Sequence, residues 1–199
     1  MVNLKRVLFC LITIFVSIDS YSQTTNWENF DKVLKVYIKN PTHENSNKAY
    51  NLLPEKVDGN DFPKSETYES IWASSVDLDS LMLKGNRDAL RLQFKLYTIA
   101  NAEYSIGQDI SIGKMIVKYP KIFLQESRIH KRYRDIEYIV GKASPDFTDN
   151  YKLQLKEMEE RKRALNTVSD YELIEMKKLC IQIIEVSENE IKKMMKNNK

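Results

Sequence analysis

The sequence predicts an all-α fold, and three observations carry that prediction. Glycine and proline are scarce, five of each in 199 residues, which leaves little room for long loops. Apolar residues recur at steps of three and four along most of the chain, the spacing of one helix face. Capping and stop residues stand at the ends of these periodic stretches.

The first 22 residues are of a different kind. Lys5 and Arg6 make a short positive start, and residues 7–16 are almost uninterruptedly apolar. Ser20 and Ser22 then place small residues three and one positions before a cut ahead of Gln23. That is the three-part layout of a secretory signal peptide, and it resembles the export signals of Gram-negative bacteria. The expected location is therefore periplasmic or secreted, after cleavage near Ser22–Gln23. The apolar run falls short of the roughly 20 residues that a membrane span takes. Cys10 lies inside the run behind Phe9 rather than after a small residue at its end, which argues against a lipid-modified cysteine.

The rest divides into an expected helical core over 23–143 and a C-terminal helical hairpin over 144–199. Thr25 and Glu28 have capping-box spacing, and Trp27, Phe30, Val33, Leu34 and Ile38 follow as a helical face that Asn40-Pro41 ends. Thr42 can cap a short helix bearing Ala49, Leu52 and Leu53, stopped by Pro54. Residues 55–64 contain Asp58-Gly59-Asn60-Asp61 and Pro63, a turn or surface loop. Ser65 starts a third helix with Tyr68, Ile71, Trp72, Ser75, Leu78 and Met82 on one face, and Gly85 is placed to end it in a left-handed conformation.

Residues 87–100 predict a helix apolar over most of its circumference, the signature of a central core helix. Only Arg87, Arg91, Lys95 and Thr98 form a polar stripe along it. Ile106, Ile110, Gly113 and Val117 continue at helical spacing, although Ile110-Ser111-Ile112 also alternates as a strand would. Helix is the better reading, with Gly113 at a close helix–helix contact. Pro120 suits the first turn of a helix carrying Ile122, Phe123 and Leu124. Tyr133, Ile136, Ile139 and Val140 predict another, stopped by Gly141.

After Ala143-Ser144-Pro145, residues 151–165 turn rich in Lys, Glu, Arg and Leu. Ser169 and Glu172 have capping-box spacing, with Val168 and Leu173 placed as a hydrophobic staple. The helix they open carries Leu173, Met176, Cys180, Ile183, Ser187, Ile191 and Met194. The last two helices predict a long antiparallel hairpin joined near Asn166-Thr167. Asn47-Lys48-Ala49-Tyr50-Asn51-Leu52 and Arg87-Asp88-Ala89-Leu90-Arg91-Leu92 align as an internal echo. Paired helices at such an interval loosely resemble HEAT-type α-solenoids; the alternative is an irregular helical bundle.

The chemistry-bearing residues are few. The chain has two histidines, His43 and His130, and after cleavage one cysteine, Cys180, at an apolar helix position. Zinc needs three or four ligands at suitable spacing, and no such spacing occurs. Asp58, Asn60 and Asp61 lack the alternation of a calcium loop. No metal and no cofactor are expected. A net charge of +3 with both signs interleaved argues against nucleic acid as the main partner.

Two basic features remain as candidate binding residues: the stripe Arg87, Arg91 and Lys95, and the segment containing Arg128, His130, Lys131 and Arg132. Either would suit an acidic partner, or weakly an anionic membrane surface. The plain alternatives are a solvated helix face and a solvated link between helices. Together these features lead us to expect an exported, non-catalytic helical protein that binds another protein through a broad helical surface. An inhibitor or immunity-type protein acting on an envelope enzyme or toxin is one alternative. A cell-wall glycoside hydrolase using paired carboxylates is the other, since only the fold can bring two carboxylates together.

Overall fold

A computed structural model describes residues 25–57, 61–132, 136–144, 147–148 and 150–197. The expected signal segment, the tip of the 58–61 turn, Tyr133 and Pro145 lie outside these residues. The fold is all-α.

Helix α1 spans Trp27–Lys39 and α2 spans His43–Leu52. The α1 cap is Asn26, whose side chain accepts from the Asn29 amide, and not Thr25. Thr25 is drawn off by a tertiary partner: its amide and hydroxyl both donate to the Asp61 carboxylate, at 3.1 and 2.8 Å. Thr42 does cap α2, accepting from the Asn45 amide at 3.3 Å.

Helix α3 spans Ser65–Met82. Gly85 adopts φ +91° beyond its end. Its amide returns to the Met82 carbonyl at 2.8 Å and that of Asn86 to Leu81 at 3.2 Å, the paired closure of a Schellman motif. Asn86 then caps α4, Arg87–Leu96, by accepting from the Ala89 amide. The α-helix stops short of Ala100 and tightens into a 3-10 turn at Tyr97–Ile99. There Thr98 Oγ1 donates to the Lys95 carbonyl at 2.9 Å, a local side-chain bond that competes with the α ladder.

Helix α5, Ala102–Lys118, removes the strand alternative. Its buried face, however, is Gln108, Asp109, Ile112, Gly113, Met115 and Ile116. Ile106 and Val117, expected on that face, are exposed at 56% and 42%. The helix is rotated because its two buried polar side chains find partners on α4: Gln108 on Gln93, and Asp109 on Tyr97 just past the helix end.

Helix α6, Pro120–His130, has proline in its first turn, and α7 is the short Ile136–Gly141. Helix α8 is Tyr151–Asn166, and α9, Ile174–Asn197, is opened by a 3-10 turn at Tyr171–Leu173. The Ser169–Glu172 capping box does not form; Asp170 stands at the cap without a side-chain cap bond. Asp170 and Glu172 pair instead with Lys121 and Arg128 of α6. Val168 and Leu173, the expected staple, are both buried.

Neighbouring helices pack in two rows. In one, α1 contacts α3 and α3 contacts α5; in the other, α2 contacts α4 and α4 contacts α6. The hairpin α8–α9 lies against α5, α6 and α7. A single apolar cluster runs from Trp27 to Ile191, with Ala89, Leu90, Leu92, Phe94 and Leu96 of α4 fully buried within it. Trp72 stacks on Tyr104 with ring centres 4.5 Å apart, joining α3 to α5.

The largest fully buried side chain is charged. Arg161 of α8 donates through Nη1 to the carbonyls of Ile139 and Val140, both at 3.0 Å. Its Nη2 donates to Glu157 at 2.6 Å. The guanidinium fits because α5 has glycine opposite: a Cβ at Gly113 would lie 2.9 Å from Nη2 and 3.4 Å from the Ile139 carbonyl.

Gly113→Ala should therefore cost about 1–3 kcal/mol, because Arg161 is held by buried bonds and cannot step aside. Gly107→Ala on the same helix meets nothing within 4 Å. It should raise stability by about 0.5–1 kcal/mol. Urea unfolding of both variants checks the contrast.

Candidate functional site

Arg87 and Arg91 of the stripe and His130 of the basic segment meet at one cleft of about 530 Å³. Helix α2 contributes His43 and Tyr50, α4 contributes Arg87, Asp88 and Arg91 beside its cap Asn86, and α6 contributes Glu126, Ile129 and His130. Helix periodicity explains which residues arrive. Arg87 and Arg91 are one turn apart on α4, as are Glu126 and His130 on α6, so each pair shares a face.

Most of the charge is matched locally. Glu126 is 1% exposed, ion-pairs with Arg87 Nε and lies 3.2 Å from His130 Nε2. Burial alone would raise the Glu126 carboxyl, but the hydrogen bonds from His130 and Arg87 outweigh it and hold it below its ordinary range. His130 is itself buried, with its Nδ1 3.4 Å from the Tyr50 hydroxyl. His43 pairs with Asp88 at 3.0 Å.

Arg91 is different. Its guanidinium lies over the Tyr50 ring at 4.5 Å, and Nη2 donates to Asn47 at 2.6 Å and Ser46 at 3.3 Å. Its Nε is buried with no hydrogen-bond partner. Among the described residues Arg91 has no part in the pairs that Glu126 makes with Arg87 and His130 or that Asp88 makes with His43.

The other candidates are placed elsewhere. Lys95 leaves the expected polar stripe and is only 3% exposed. It donates to the Tyr50 carbonyl near the end of α2 at 3.1 Å and pairs with Glu55 at 3.2 Å. This is a helix-closing role for a cation, and burial lowers the ammonium pKa against the pull of Glu55. Arg132 also pairs with Glu55, at 2.8 Å. Lys131 is exposed just past α6. Arg128 turns away from the cleft to the hairpin turn, where it donates to the Glu172 carbonyl at 3.1 Å. The segment is therefore not a solvated link throughout: His130 is core, and Arg128 and Arg132 tie other segments down.

A polar seam that sequence reasoning missed joins α3, α4 and α5. Gln93, fully buried, donates to Asp79 at 2.6 Å and to the Ser75 carbonyl at 3.0 Å. Ser111 donates to the other Asp79 oxygen at 2.5 Å. Tyr97 donates to Asp109, also at 2.5 Å. Burial pushes the Asp79 carboxyl up to about 6, against the hydrogen bonds from Ser111 and Gln93. The only hint in sequence was the polar residues Gln93, Gln108 and Asp109 within otherwise apolar helices.

Another cleft, of about 550 Å³, lies between α5, α7 and α9 and is lined in part by Ile106, Ile110, Tyr138, Ile191 and Met194. Cys180 is fully buried, and burial pushes its thiol up to about 12, which leaves it un-ionised and inert. Among the described residues no three His, Cys, Asp or Glu side chains are grouped to hold a metal ion, and no helix is long and apolar enough to cross a membrane. No protein-family model, curated protein or solved structure matches this chain.

Asp79 sets a pH dependence whose direction follows from its raised pKa. The folded state keeps this proton up to about pH 6, whereas the unfolded chain loses it near 3.8. Its contribution to stability therefore falls as pH rises across that window. Asp79→Asn should be the more stable protein at pH 7, by on the order of 2 kcal/mol, with the advantage vanishing below pH ~4. Glu126, held low, works oppositely: its contribution is present at neutral pH and is lost on acidification through its folded pKa. Chemical denaturation of wild type and Asp79→Asn from pH 3.5 to 7.5 measures the difference.

Proposed function

We propose that this protein is a non-catalytic, exported module that binds another protein, and that the face built by α2, α4 and α6 is where it does so. One observation carries the reading: side chains from three helices, far apart in sequence, meet around Tyr50 in a cleft where the Arg91 guanidinium lies over the Tyr50 ring. The two rows of alternating helices suit a short HEAT-like stack, an architecture that builds broad surfaces more readily than deep pockets. An inhibitor or immunity-type role against an envelope enzyme is the form of this reading that fits an exported chain.

The rival hydrolase needs one carboxyl kept protonated beside another that is ionised. In the cleft Glu126 is paired with Arg87 and Asp88 is hydrogen-bonded to His43, and the raised carboxyl, Asp79, is tied into the helix seam.

The test is affinity capture from envelope extract with three baits. The wild-type chain should retain a specific partner. Ile129→Glu, which places a charge at an exposed apolar residue of the cleft, should lose it. Val76→Glu, exposed on α3 in the other row, should keep it. Equal retention by all three would move the surface elsewhere. Clearing of a peptidoglycan suspension, abolished by a single Glu→Gln change, would replace the binding reading. For export, the protein recovered from the envelope should begin at Gln23, read by intact mass.

A further inference from the structure

We propose that two copies of this chain pair antiparallel through the outward face of α9, about a two-fold axis at Gln182. The surface lies outside the α2–α4–α6 cleft, to which α9 contributes no lining residue, so each copy keeps its docking face.

Helix α9 turns Met176, Cys180, Ile184 and Ile191 into the fold. On its outward face two apolar side chains stand among polar ones. Leu179 and Val186 are exposed at 38% and 59%, and their separation of seven residues puts them on one line, two turns apart. Beside that line α7 and α9 bound a cleft of about 610 Å³, with Leu179 and Val186 on one wall and the exposed ring of Tyr138 on the other. Exposed apolar side chains gathered along a cleft mark a contact surface.

Spacing and charge select a second copy as the occupant. Leu179 stands three residues before Gln182 and Val186 four after it. Rotation about an axis at Gln182 therefore lays Leu179 of each copy against Val186 of the other. Lys178 and Glu185, four before and three after, are both exposed and share one flank of the line. The same rotation sets Lys178 of each copy against Glu185 of the other. Lys178 also reaches Glu175 of its own helix at 2.9 Å, a mostly exposed pair that is weak enough to share. Farther out, Glu175 meets Glu190 and Lys193 of the second copy, one charge of each sign, and Glu137 and Lys142 at the cleft also offset one another. At the axis Gln182 meets its own counterpart, and an amide can both donate and accept. A parallel pair would instead oppose Lys178 to Lys178 and Glu185 to Glu185. A two-fold contact is the arrangement in which one patch must complement itself, and this one does.

Sedimentation equilibrium of the purified protein is the test. Wild type should show a monomer–dimer equilibrium, with a weak dimer because one helix face and a shallow cleft make a small interface. Val186→Glu should be monomeric with the helical dichroism of wild type, whereas Val76→Glu, exposed on α3, should pair as wild type does. Lys178→Glu and Glu185→Lys should each weaken pairing about tenfold, since the symmetry repeats every contact. The two changes together restore opposite charges and should return the affinity to within about threefold of wild type. A protein still monomeric at about 1 mM, species larger than a dimer, pairing undiminished by Val186→Glu, or a double reversal weaker than both single ones would each overturn the proposal.

Discussion

A buried cation, Arg161, ties three helices together. Arg161 reaches from α8 across a gap left by Gly113 and closes the carbonyl end of α7, whose Ile139 and Val140 oxygens it binds together. Glu157 completes the arrangement, accepting from Arg161 with one oxygen and from the Ser144 amide with the other. A buried ion pair adds little net stability over a well-packed apolar substitute, because desolvation offsets attraction. What it contributes here is position. The carbonyls of α7, the carboxylate of α8 and the glycine of α5 meet at one guanidinium, which couples the register of the three helices. The apolar residues of the terminal hairpin belong to the same cluster as those of the earlier helices.

Polar groups are used in two contrasting ways elsewhere. In the seam of α3, α4 and α5 each donor meets an acceptor inside the packing: Gln93 with Asp79 and Ser75, Ser111 with Asp79, Tyr97 with Asp109. Such bonds fix rotation and register of helices whose apolar faces alone would tolerate several. In the cleft the bonds instead arrange charges at an accessible surface. The same helix, α4, serves both: Gln93 looks into the seam while Arg87 and Arg91 line the cleft.

The sequence disclosed elements better than faces. Thr42, Gly85 and Pro120 acted as local signals and set real boundaries, since the backbone groups they satisfy lie within a few residues. The capping boxes at Thr25 and Ser169 failed for a tertiary reason. Asp61 took the Thr25 hydroxyl, and Arg128 took Glu172. Helix α5 was found but turned the wrong way, because apolarity alone does not reveal that Gln108 and Asp109 have buried partners on or just beyond another helix. The basic stripe was legible as a stripe. That Lys95 would leave it depended on Glu55 and the end of α2, some forty residues away. Arg128 and His130 read as one patch, yet two residues on a helix lie about 200° apart, so one meets the hairpin turn and the other the core.

The tryptophans give the molecule an uneven voice. Trp27 opens α1 and Trp72 stacks on Tyr104 across α3 and α5, and the chain has no others. Tryptophan emission, excited apart from the tyrosines, thus reports on the amino-terminal side alone, while far-ultraviolet dichroism weighs every helix, the long α9 most of all. Two optical signals taken from one melting sample therefore set one end of the fold against the whole, the other end included. Their coincidence or separation translates directly into whether the clamp at Arg161 lets those ends go as one.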